Sequence, residues 1–205
     1  MPRIGVLALQ GDFREHAISL RNAGAVSISF VKNPQDLQTI DALLIPGGES
    51  TAMSKLAKAF EVLDPIRDLI ARGMPVYGSC AGMIMLASKL VDGNSDQETF
   101  GGLDITVRRN AFGRQVDSFE AQLHAPEIAD GGFNAVFIRA PWVEDFSSDV
   151  EVLARIESGQ HKGAVVAVKQ GNVIASSFHP ELTNDLRFHK YFIKLVNQSQ
   201  SLERL

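Results

Sequence analysis

The residue best suited to chemistry is Cys80, which is the only cysteine in the chain. It lies at the centre of Gly78-Ser79-Cys80-Ala81-Gly82, which has the Gly-x-nucleophile-x-Gly spacing of a nucleophile elbow. An elbow holds its nucleophile on a sharp strand-to-helix turn, so the residues two before and two after must be small. Free N–H groups at the start of the helix favour a thiolate and can hold an oxyanion. The alternative for a lone cysteine is a small buried hydrophobic residue.

A base and a carboxylate that could serve this thiol occur together in Phe178-His179-Pro180-Glu181. His179 and Glu181 are two residues apart, so at the end of a strand their side chains point to the same face. Glu181 could then hydrogen-bond one imidazole nitrogen and leave the other to face the thiol. The alternative is a histidine in a surface turn beside a solvated glutamate. Because an elbow cysteine is also present, we favour the catalytic interpretation.

The other histidines and Ser79 lack such a setting. His16 falls on a predicted helix near the site, where we expect a role on the helix surface. His124, His161 and His189 are expected to be structural or solvated. Ser79 is off centre between the two glycines of the elbow. No histidine pair has the spacing of metal ligands and one cysteine cannot build a thiolate site, so we expect no metal.

A glycine-containing loop, Pro46-Gly47-Gly48-Glu49-Ser50-Thr51, follows a buried apolar run and lacks the ending of a phosphate-binding P-loop. Its glycines allow close backbone approach to a ligand, and their N–H groups could bind an oxyanion. Glu49 would then be a carboxylate beside the site. The alternative is a plain turn in which Ser50 caps a helix. Arg109 and Arg139 follow predicted strands and could bind a substrate carboxylate, although a single arginine is more often solvated.

The first half of the chain alternates buried strands with amphipathic helices. Strands are predicted at 4–9, 27–31, 41–45 and 75–77. We expect helices capped by Asp12, following Ser50, opening at Asp64-Pro65, and running over residues 81–90. This alternation predicts an α/β fold with three layers, in which helices cover both faces of a mostly parallel sheet. Ligands bind such sheets at the carboxyl ends of the strands, where the loop after Leu9, the Gly47-Gly48 loop and the elbow meet.

The second half is less regular. Strands are predicted at 103–109, 118–123, 135–138 and 150–156, the last at a sheet edge, and 163–169 with 172–178 reads as a hairpin turning at Gln170-Gly171. A final helix begins near residue 184, and the polar tail after 197 is expected to fray. Without an internal repeat or linker, residues 1–205 are predicted to form a single domain.

Composition excludes several classes of partner. The net charge of −4 argues against a nucleic acid or an anionic membrane. No apolar run reaches transmembrane length, and the run at 4–9 is too short for a signal peptide. One cysteine excludes an internal disulfide and fits a reducing compartment. We therefore expect a cytoplasmic protein.

Taken together, the motifs around Cys80, His179 and Gly47-Gly48 resemble those of class I, triad-type glutamine amidotransferases. More narrowly, the chain resembles the family of glutaminase subunits of pyridoxal 5′-phosphate synthase. The blocks that carry this resemblance are Leu9-Gln10-Gly11 with Glu15-His16, Pro46 to Thr51, Arg109-Asn-Ala-Phe-Gly-Arg-Gln-Val-Asp-Ser-Phe119, Phe137-Ile-Arg-Ala-Pro141 and Ser177-Phe-His-Pro-Glu-Leu-Thr183. The resemblance implies the flavodoxin-like sandwich of that family.

The resemblance also implies an activity that needs no cofactor: hydrolysis of L-glutamine to L-glutamate and ammonia. Cys80 would attack the side-chain amide and form a γ-glutamyl thioester. His179 would give a proton to the leaving ammonia and then activate water, while Glu181 would orient His179. The ammonia would pass to a synthase subunit that builds pyridoxal 5′-phosphate.

The same resemblance assigns further site residues. An oxyanion hole would combine the N–H of Ala81 with one from Gly47 or Gly48. The positions that match glutamine-binding residues of the family are Gly48, Glu49, Ser50, Arg109, Ile138 and Arg139. In this family the free subunit is poorly active until its partner reorganises the oxyanion loop.

Three alternatives remain at this point. One is the glutaminase subunit of another pathway, such as imidazole glycerol phosphate synthase, against which the block at 109–119 argues. The second is a non-catalytic binding module on the same fold, against which the complete set of Cys80, His179 and Glu181 argues. The third is a stand-alone cysteine hydrolase or peptidase.

Overall fold

The computed structural model describes residues 2–93, 96–112, 118–128 and 131–202. Its strands are β1 (Arg3–Leu7), β2 (Ser27–Val31), β3 (Ala42–Ile45), β4 (Val76–Ser79), β5 (Ala87–Val91), β6 (Leu103–Arg108), β7 (Ser118–His124), β8 (Phe133–Ile138), β9 (Trp142–Phe146), β10 (Glu151–Ile156), β11 (Val165–Gln170) and β12 (Val173–Ser176). Its α-helices are α1 (Phe13–Asn22), α2 (Pro34–Leu37), α3 (Ser50–Ala59), α4 (Leu63–Ala71), α5 (Ala81–Leu86) and α6 (Arg187–Leu202), with a short 3-10 helix at Pro180–Leu182.

The part of the sheet that positions the site has the strand order β2-β1-β3-β4-β12, and all neighbours in it are parallel. Side chains on a strand alternate between faces, so Leu43 and Ile45 enter one hydrophobic cluster while Ala42 and Leu44 enter another. Helices α3, α4 and α5 cover the first face, whereas α1 and α6 cover the second. This three-layer arrangement confirms the predicted α/β class.

Beyond β12 the sheet becomes antiparallel, in the order β12-β11-β10-β7-β8. The predicted hairpin is confirmed, since β11 and β12 are joined at Gln170 and Gly171. The predicted edge position of 150–156 is wrong, because β10 lies between β11 and β7. Strands β5, β6 and β9 form a branch that joins the sheet at β11. None of the described helices combines the length and the apolar character needed to cross a bilayer.

Helix α1 begins after Asp12 as predicted, whereas the start of α4 differs from the prediction. Asp12 precedes α1, but its side chain makes no capping hydrogen bond. Helix α4 begins at Leu63, one residue before Asp64, and Pro65 lies in its first turn, where the missing N–H is not needed. The capping pattern thus identifies the N-cap position of α1 but places that of α4 two residues too late, and neither helix has a side-chain capping bond.

Two helix ends also differ from the prediction. The apolar run after Cys80 is helical only to Leu86, and from Ala87 it continues as β5, which pairs with β6. A short apolar run fits a buried helix and a buried strand equally well, and tertiary pairing decides between them. The segment after residue 197 does not fray at once but continues α6 as far as Leu202.

Candidate active site

Cys80 occupies the turn between β4 and α5, as the elbow spacing predicts. Its φ of 48° and ψ of −99° are strained for any residue other than glycine. Its N–H donates to the carbonyl oxygen of Ser176 at 2.7 Å, which ties the turn to β12. A Cβ at Gly78 would lie 2.6 Å from the Gly82 backbone, and one at Gly82 would lie 2.3 Å from the oxygen of Ile45. Close packing therefore explains both glycines of the motif.

His179 follows β12 and lines the same cleft as Cys80. Its Nδ1 lies 2.6 Å from Oε1 of Glu181, whose side chain is completely buried. Burial lowers the pKa of His179, but the Cys80 thiol and the Glu181 carboxylate outweigh it and raise this pKa to about 10. Burial raises the pKa of Glu181, and the bond to His179 offsets part of that rise. The raised pKa favours a His179 imidazolium beside Cys80 near neutral pH.

Asp12 brings a second carboxylate to the histidine. Its Oδ2 lies 3.7 Å from Nδ1 of His179. Among the described residues, Asp12, His179 and Glu181 are the one group compact enough to hold a metal ion, with ligand atoms within 4.8 Å of one another. Nδ1 of His179 is already bonded to Glu181, and a cation there would repel the imidazolium. The arrangement suits proton transfer better than metal binding.

The Gly47-Gly48 loop packs directly against the histidine and Gln10. A Cβ at Gly47 would lie 2.5 Å from Cε1 of His179, and one at Gly48 would lie 2.5 Å from the amide nitrogen of Gln10. Gln10 also holds the backbone of Glu49, donating to its carbonyl oxygen at 3.0 Å and accepting its N–H at 3.2 Å. Only glycine fits at either position, and the loop is anchored on one side by the Gln10 amide.

Ala81 and Ile138 border the thiol on two sides. Ala81 is the first residue of α5, where an N–H has no acceptor within the helix and stays available to an oxyanion. The carbonyl oxygen of Ile138 lies 3.8 Å from Sγ of Cys80. Arg139, whose φ is 44°, lines the cleft next to Ile138. One predicted oxyanion donor and one predicted substrate-binding residue therefore adjoin the nucleophile, and Arg139 lines the same cleft.

An open cleft of about 950 Å³ joins these groups and is lined by all the predicted substrate-binding residues. Its wall also contains residues that the sequence did not predict, namely Asp12, Ile84, Asp92, Asn110, Phe112 and Ala140. Ser50 is only 2% exposed, and its Oγ has no hydrogen-bond partner in the described part of the chain, so it does not cap the helix that it begins. A buried hydroxyl without a partner can bind a polar group of a ligand without first breaking another bond.

Glu49 and Arg109 line this cleft while bonded to each other. Glu49 caps α3, with its two carboxylate oxygens accepting the N–H of Thr51 at 3.0 Å and of Ala52 at 2.7 Å. Nη2 of Arg109 lies 3.3 Å from Oε1 of Glu49, and Nη1 donates to Gln97 at 2.9 Å. Burial alone would raise the pKa of Glu49, but the two N–H groups and Arg109 lower it. The Arg109 guanidinium is thus held in place beside the cleft.

Replacing Glu49 by alanine should lower the free energy of unfolding by about 1 kcal/mol, because α3 loses its cap. Since the fold lowers the pKa of Glu49, its contribution is complete above the unfolded pKa of 4.5 and disappears as the pH falls through the lower folded pKa. Urea unfolding curves of wild type and Glu49→Ala should therefore differ at pH 7 and approach each other as the pH is lowered below 4.5. The exposed Glu157→Ala is the control, and a Glu49 effect independent of pH would contradict this role.

The side chains behind the histidine were not recognised from the sequence. His16, expected on a helix surface, is fully buried with its Nε2 3.2 Å from Oε2 of Glu181, so that expectation is wrong. His189 is also fully buried, with its Nε2 3.0 Å from Nδ1 of His16. The spacing of Asp12 and His16, which places both on one helical face beside the loop after β1, was an available signal. His189 offered none, because 173 positions separate it from the ring that it contacts.

Known proteins with similar sequences cover almost the whole chain. The model of the SNO glutamine amidotransferase family matches residues 6–198. The chain is 60% identical over 195 residues to "Pyridoxal 5′-phosphate synthase subunit PdxT" of Acidothermus cellulolyticus, covering 95% of this chain and 94% of that relative. It is 54% identical over 199 residues to the subunit of the same name from Kineococcus radiotolerans, covering 96% of each. Within the block at 109–119 that carries the resemblance, residues 113–117 lie outside the described part.

Two solved structures have folds similar to that of this chain. A crystal structure of a glutamine amidotransferase superposes with a TM-score of 0.86 at 46% identity, covering 95% of this chain and 98% of that one. A putative GMP synthase protein from Thermoplasma acidophilum superposes with a TM-score of 0.69 at 16% identity, covering 100% of this chain and 98% of that one, which is a likeness of fold alone. With a family model over nearly its full length and relatives this similar, the chain belongs to the SNO glutamine amidotransferase family.

Proposed function

We propose that this chain is the glutaminase subunit of a pyridoxal 5′-phosphate synthase and hydrolyses L-glutamine to L-glutamate and ammonia. The observation that carries the proposal is the placement of Cys80 and His179 on one cleft wall, with His179 bonded to Glu181 at 2.6 Å. A thiol, a base and a buried orienting carboxylate in this order form a catalytic triad. The PdxT relatives, which are named as subunits of that synthase, support the choice of pathway.

The first half of the reaction forms a thioester and releases ammonia. Sγ of the Cys80 thiolate attacks the side-chain amide carbon of glutamine, and the carbonyl oxygen becomes an oxyanion. The His179 imidazolium gives its proton to the amide nitrogen, the C–N bond breaks and ammonia leaves, while the γ-glutamyl group stays on sulfur. Two N–H donors stabilise the oxyanion in the transition state: that of Ala81 and one from Gly47 or Gly48.

The second half hydrolyses the thioester. His179, now neutral, takes a proton from water, and the oxygen of that water attacks the thioester carbon. The C–S bond then breaks, which releases glutamate and restores the Cys80 thiolate beside the His179 imidazolium. Glu181 accepts the Nδ1–H of His179 throughout, so that Nε2 faces the reacting atoms and the imidazolium is stabilised.

The remaining groups of the cleft bind the substrate in this proposal. A free glutamine presents an α-carboxylate and an α-ammonium, and the cleft offers a cation and an anion in Arg109 and Glu49. The unpartnered hydroxyl of Ser50 and the backbone around Ile138 and Arg139 supply further polar contacts. Substrates with charged ends of both signs fit such a paired lining better than neutral amides do.

The domain extent, the acceptor of the ammonia and the cellular compartment follow from the same reaction. We treat residues 1–205 as a single glutaminase domain, which the connected network of described strands supports. The ammonia goes to a synthase subunit, because ammonia released without an acceptor would be lost to water. We place the reaction in the cytoplasm, since Cys80 must remain a free thiol and a reducing compartment keeps it so.

Glutamine turnover by the pure chain should be slow and should rise about 100-fold or more when the synthase subunit is added in excess. The Gly47 carbonyl is held by the N–H of Asp12 at 3.2 Å, a single bond of about 1 kcal/mol, and both residues of the Gly47-Gly48 peptide are glycines. A docked partner can therefore reorient this peptide, and one oxyanion donor is worth roughly 100- to 1000-fold in rate.

The measurement is ammonia release from glutamine at a fixed concentration of this chain, with and without the synthase. Cys80→Ala mixed with the same synthase is the control for ammonia from any other source. Equal rates with and without the synthase would reject this coupling and leave the triad untouched. No ammonia from glutamine under either condition would reject the proposed function itself.

A further inference from the structure

A group of buried polar side chains lies behind the triad and takes no part in the steps described above. It comprises His16 on α1, which contacts the oxygen of Glu181 that does not bond His179, and His189 on α6, which contacts His16. Both rings are fully buried, although histidine is rarely buried without a polar partner. Their position next to the orienting carboxylate indicates a function beyond packing.

The contacts form one continuous line of polar atoms. Nε2 of His189 lies 3.0 Å from Nδ1 of His16, and Nε2 of His16 lies 3.2 Å from Oε2 of Glu181. Oε1 of Glu181 lies 2.6 Å from Nδ1 of His179, which lines the cleft with Cys80. In the described part of the chain, Oε2 of Glu181 and Nε2 of His16 are both buried and have no aligned hydrogen-bond partner, so the 3.2 Å contact between them is the one that a small rotation of either side chain can turn into a hydrogen bond.

The position of each proton follows from these contacts. An ionised Glu181 requires a donor at Oε2, so Nε2 of His16 must carry the proton. A neutral His16 then has a lone pair at Nδ1, which must accept the Nε2–H of His189. The opposite arrangement would point a lone pair at the carboxylate and leave Nδ1–H of His189 buried without an acceptor, which is the costlier defect.

Electrostatics supports neutral rings at both positions. Burial lowers the pKa of His16 well below its usual value, and the neighbouring His189 and His179 lower it further. Burial also lowers the pKa of His189 to about 4. Each ring therefore carries one proton near pH 7 and can give only one N–H to this line of contacts.

We propose that His16 is a positioning residue of the triad, donating its Nε2–H to the second oxygen of Glu181 in a tautomer that His189 fixes. With one donor on each oxygen, a carboxylate buried away from water stays ionised and keeps a single orientation. Glu181 then stabilises the His179 imidazolium, and through it the Cys80 thiolate. This inference rests on the triad roles in the proposed function.

Two variants of His16 separate the donor from the bulk of the ring. Glutamine places its amide nitrogen as many bonds from the backbone as Nε2, so His16→Gln can keep the donor to Glu181. Asparagine reaches only as far as Nδ1, so His16→Asn can keep the contact with His189 and loses the donor. Phe192→Leu is the packing control, since Phe192 is a buried α6 residue against Tyr77 that does not take part in the line of contacts.

The first readout is the rate at which iodoacetamide alkylates Cys80 between pH 5 and 10, because it reports the thiolate and needs no glutamine. His16→Asn should react roughly 10-fold more slowly near pH 7 and reach its maximum at a higher pH, whereas His16→Gln and Phe192→Leu should resemble wild type. Other ionisable groups facing Glu181 are Asp12, Tyr77 and His179, and all of them are unchanged in these variants. In the synthase complex, kcat of His16→Asn should fall roughly 10- to 100-fold with KM nearly constant.

The second readout uses the wild type and does not depend on any variant folding. Nitrogen-15 shifts of labelled histidines should show His16 and His189 both protonated at Nε2 and bare at Nδ1. If a neutral His16 carries its proton on Nδ1, its Nε2 is bare, and a proton between Nε2 and Oε2 must then belong to the Glu181 carboxyl group. That result would overturn the proposal. A folded His16→Asn with the wild-type alkylation profile would also overturn it. Neither result involves glutamine, so both are distinct from a failure of the proposed function.

Discussion

Cys80→Ala, assayed with the synthase subunit, should lose glutamine hydrolysis by about 10⁴-fold or more, the loss that follows removal of a catalytic nucleophile. No other thiol exists in the chain to replace it. The thioester cannot form without sulfur. Any residual rate would come from direct attack of water on the amide of glutamine, helped by the oxyanion donors. Cys80→Ser should be almost as inactive. Near neutral pH a serine hydroxyl stays protonated, and it is then a far poorer nucleophile than a thiolate.

The fold should survive this change. Cys80 is 6% exposed, and its thiol interacts with His179 and weakly with the carbonyl oxygen of Ile138 at 3.8 Å, so alanine removes little that holds the fold together. We expect thermal unfolding of Cys80→Ala to resemble that of wild type, and glutamine binding to persist in a calorimetric titration. Ser88→Ala, which removes one hydroxyl on β5 that does not line the cleft, should keep full turnover. Folded Cys80→Ala that still releases ammonia at a near-normal rate would reject the triad.

The features that the sequence could predict are those determined by near neighbours in the chain. The elbow is one, because its spacing reflects a turn only a few residues long, in which Gly78 must clear the backbone of Gly82. The histidine and its carboxylate are another, because a two-residue spacing is enough to bring Nδ1 of His179 to Glu181. The alternation of apolar runs likewise predicted the parallel strands and thereby the edge of the sheet at which the loops meet.

The features that it could not predict depend on distant parts of the chain. The complete burial of His16 results from α6 packing beside α1, which its position in the stripe of Phe13, Ala17 and Leu20 indicates only in part. The end of α5 at Leu86 results from β6 offering a partner to residues 87–91, which propensity cannot reveal. The capping role of Glu49 rather than Ser50 depends on the backbone direction at the loop, which Gln10 helps to hold.

His179→Ala should cost roughly 10⁵- to 10⁶-fold in kcat/KM in the complex, and Glu181→Gln roughly 10³- to 10⁴-fold. The difference arises because His179 carries the protons in both halves of the reaction, whereas Glu181 only orients and stabilises it. Both variants remove a buried group, so circular dichroism and thermal unfolding must first show that each is folded.

The glutamine of Glu181→Gln can still accept the Nδ1–H of His179 through its oxygen, but its NH₂ group then meets the Nε2–H of His16. Two N–H donors would then face each other, so the amide should be held in place less well than the carboxylate of the same shape that it replaces. Losing the carboxylate also removes a group that raises the pKa of His179 toward about 10, so the basic limb of kcat/KM should move to lower pH. A pH profile of each variant in the complex tests both points. A larger loss for Glu181→Gln than for His179→Ala would reverse the assigned roles, and an unmoved basic limb would show that Glu181 does not stabilise the imidazolium.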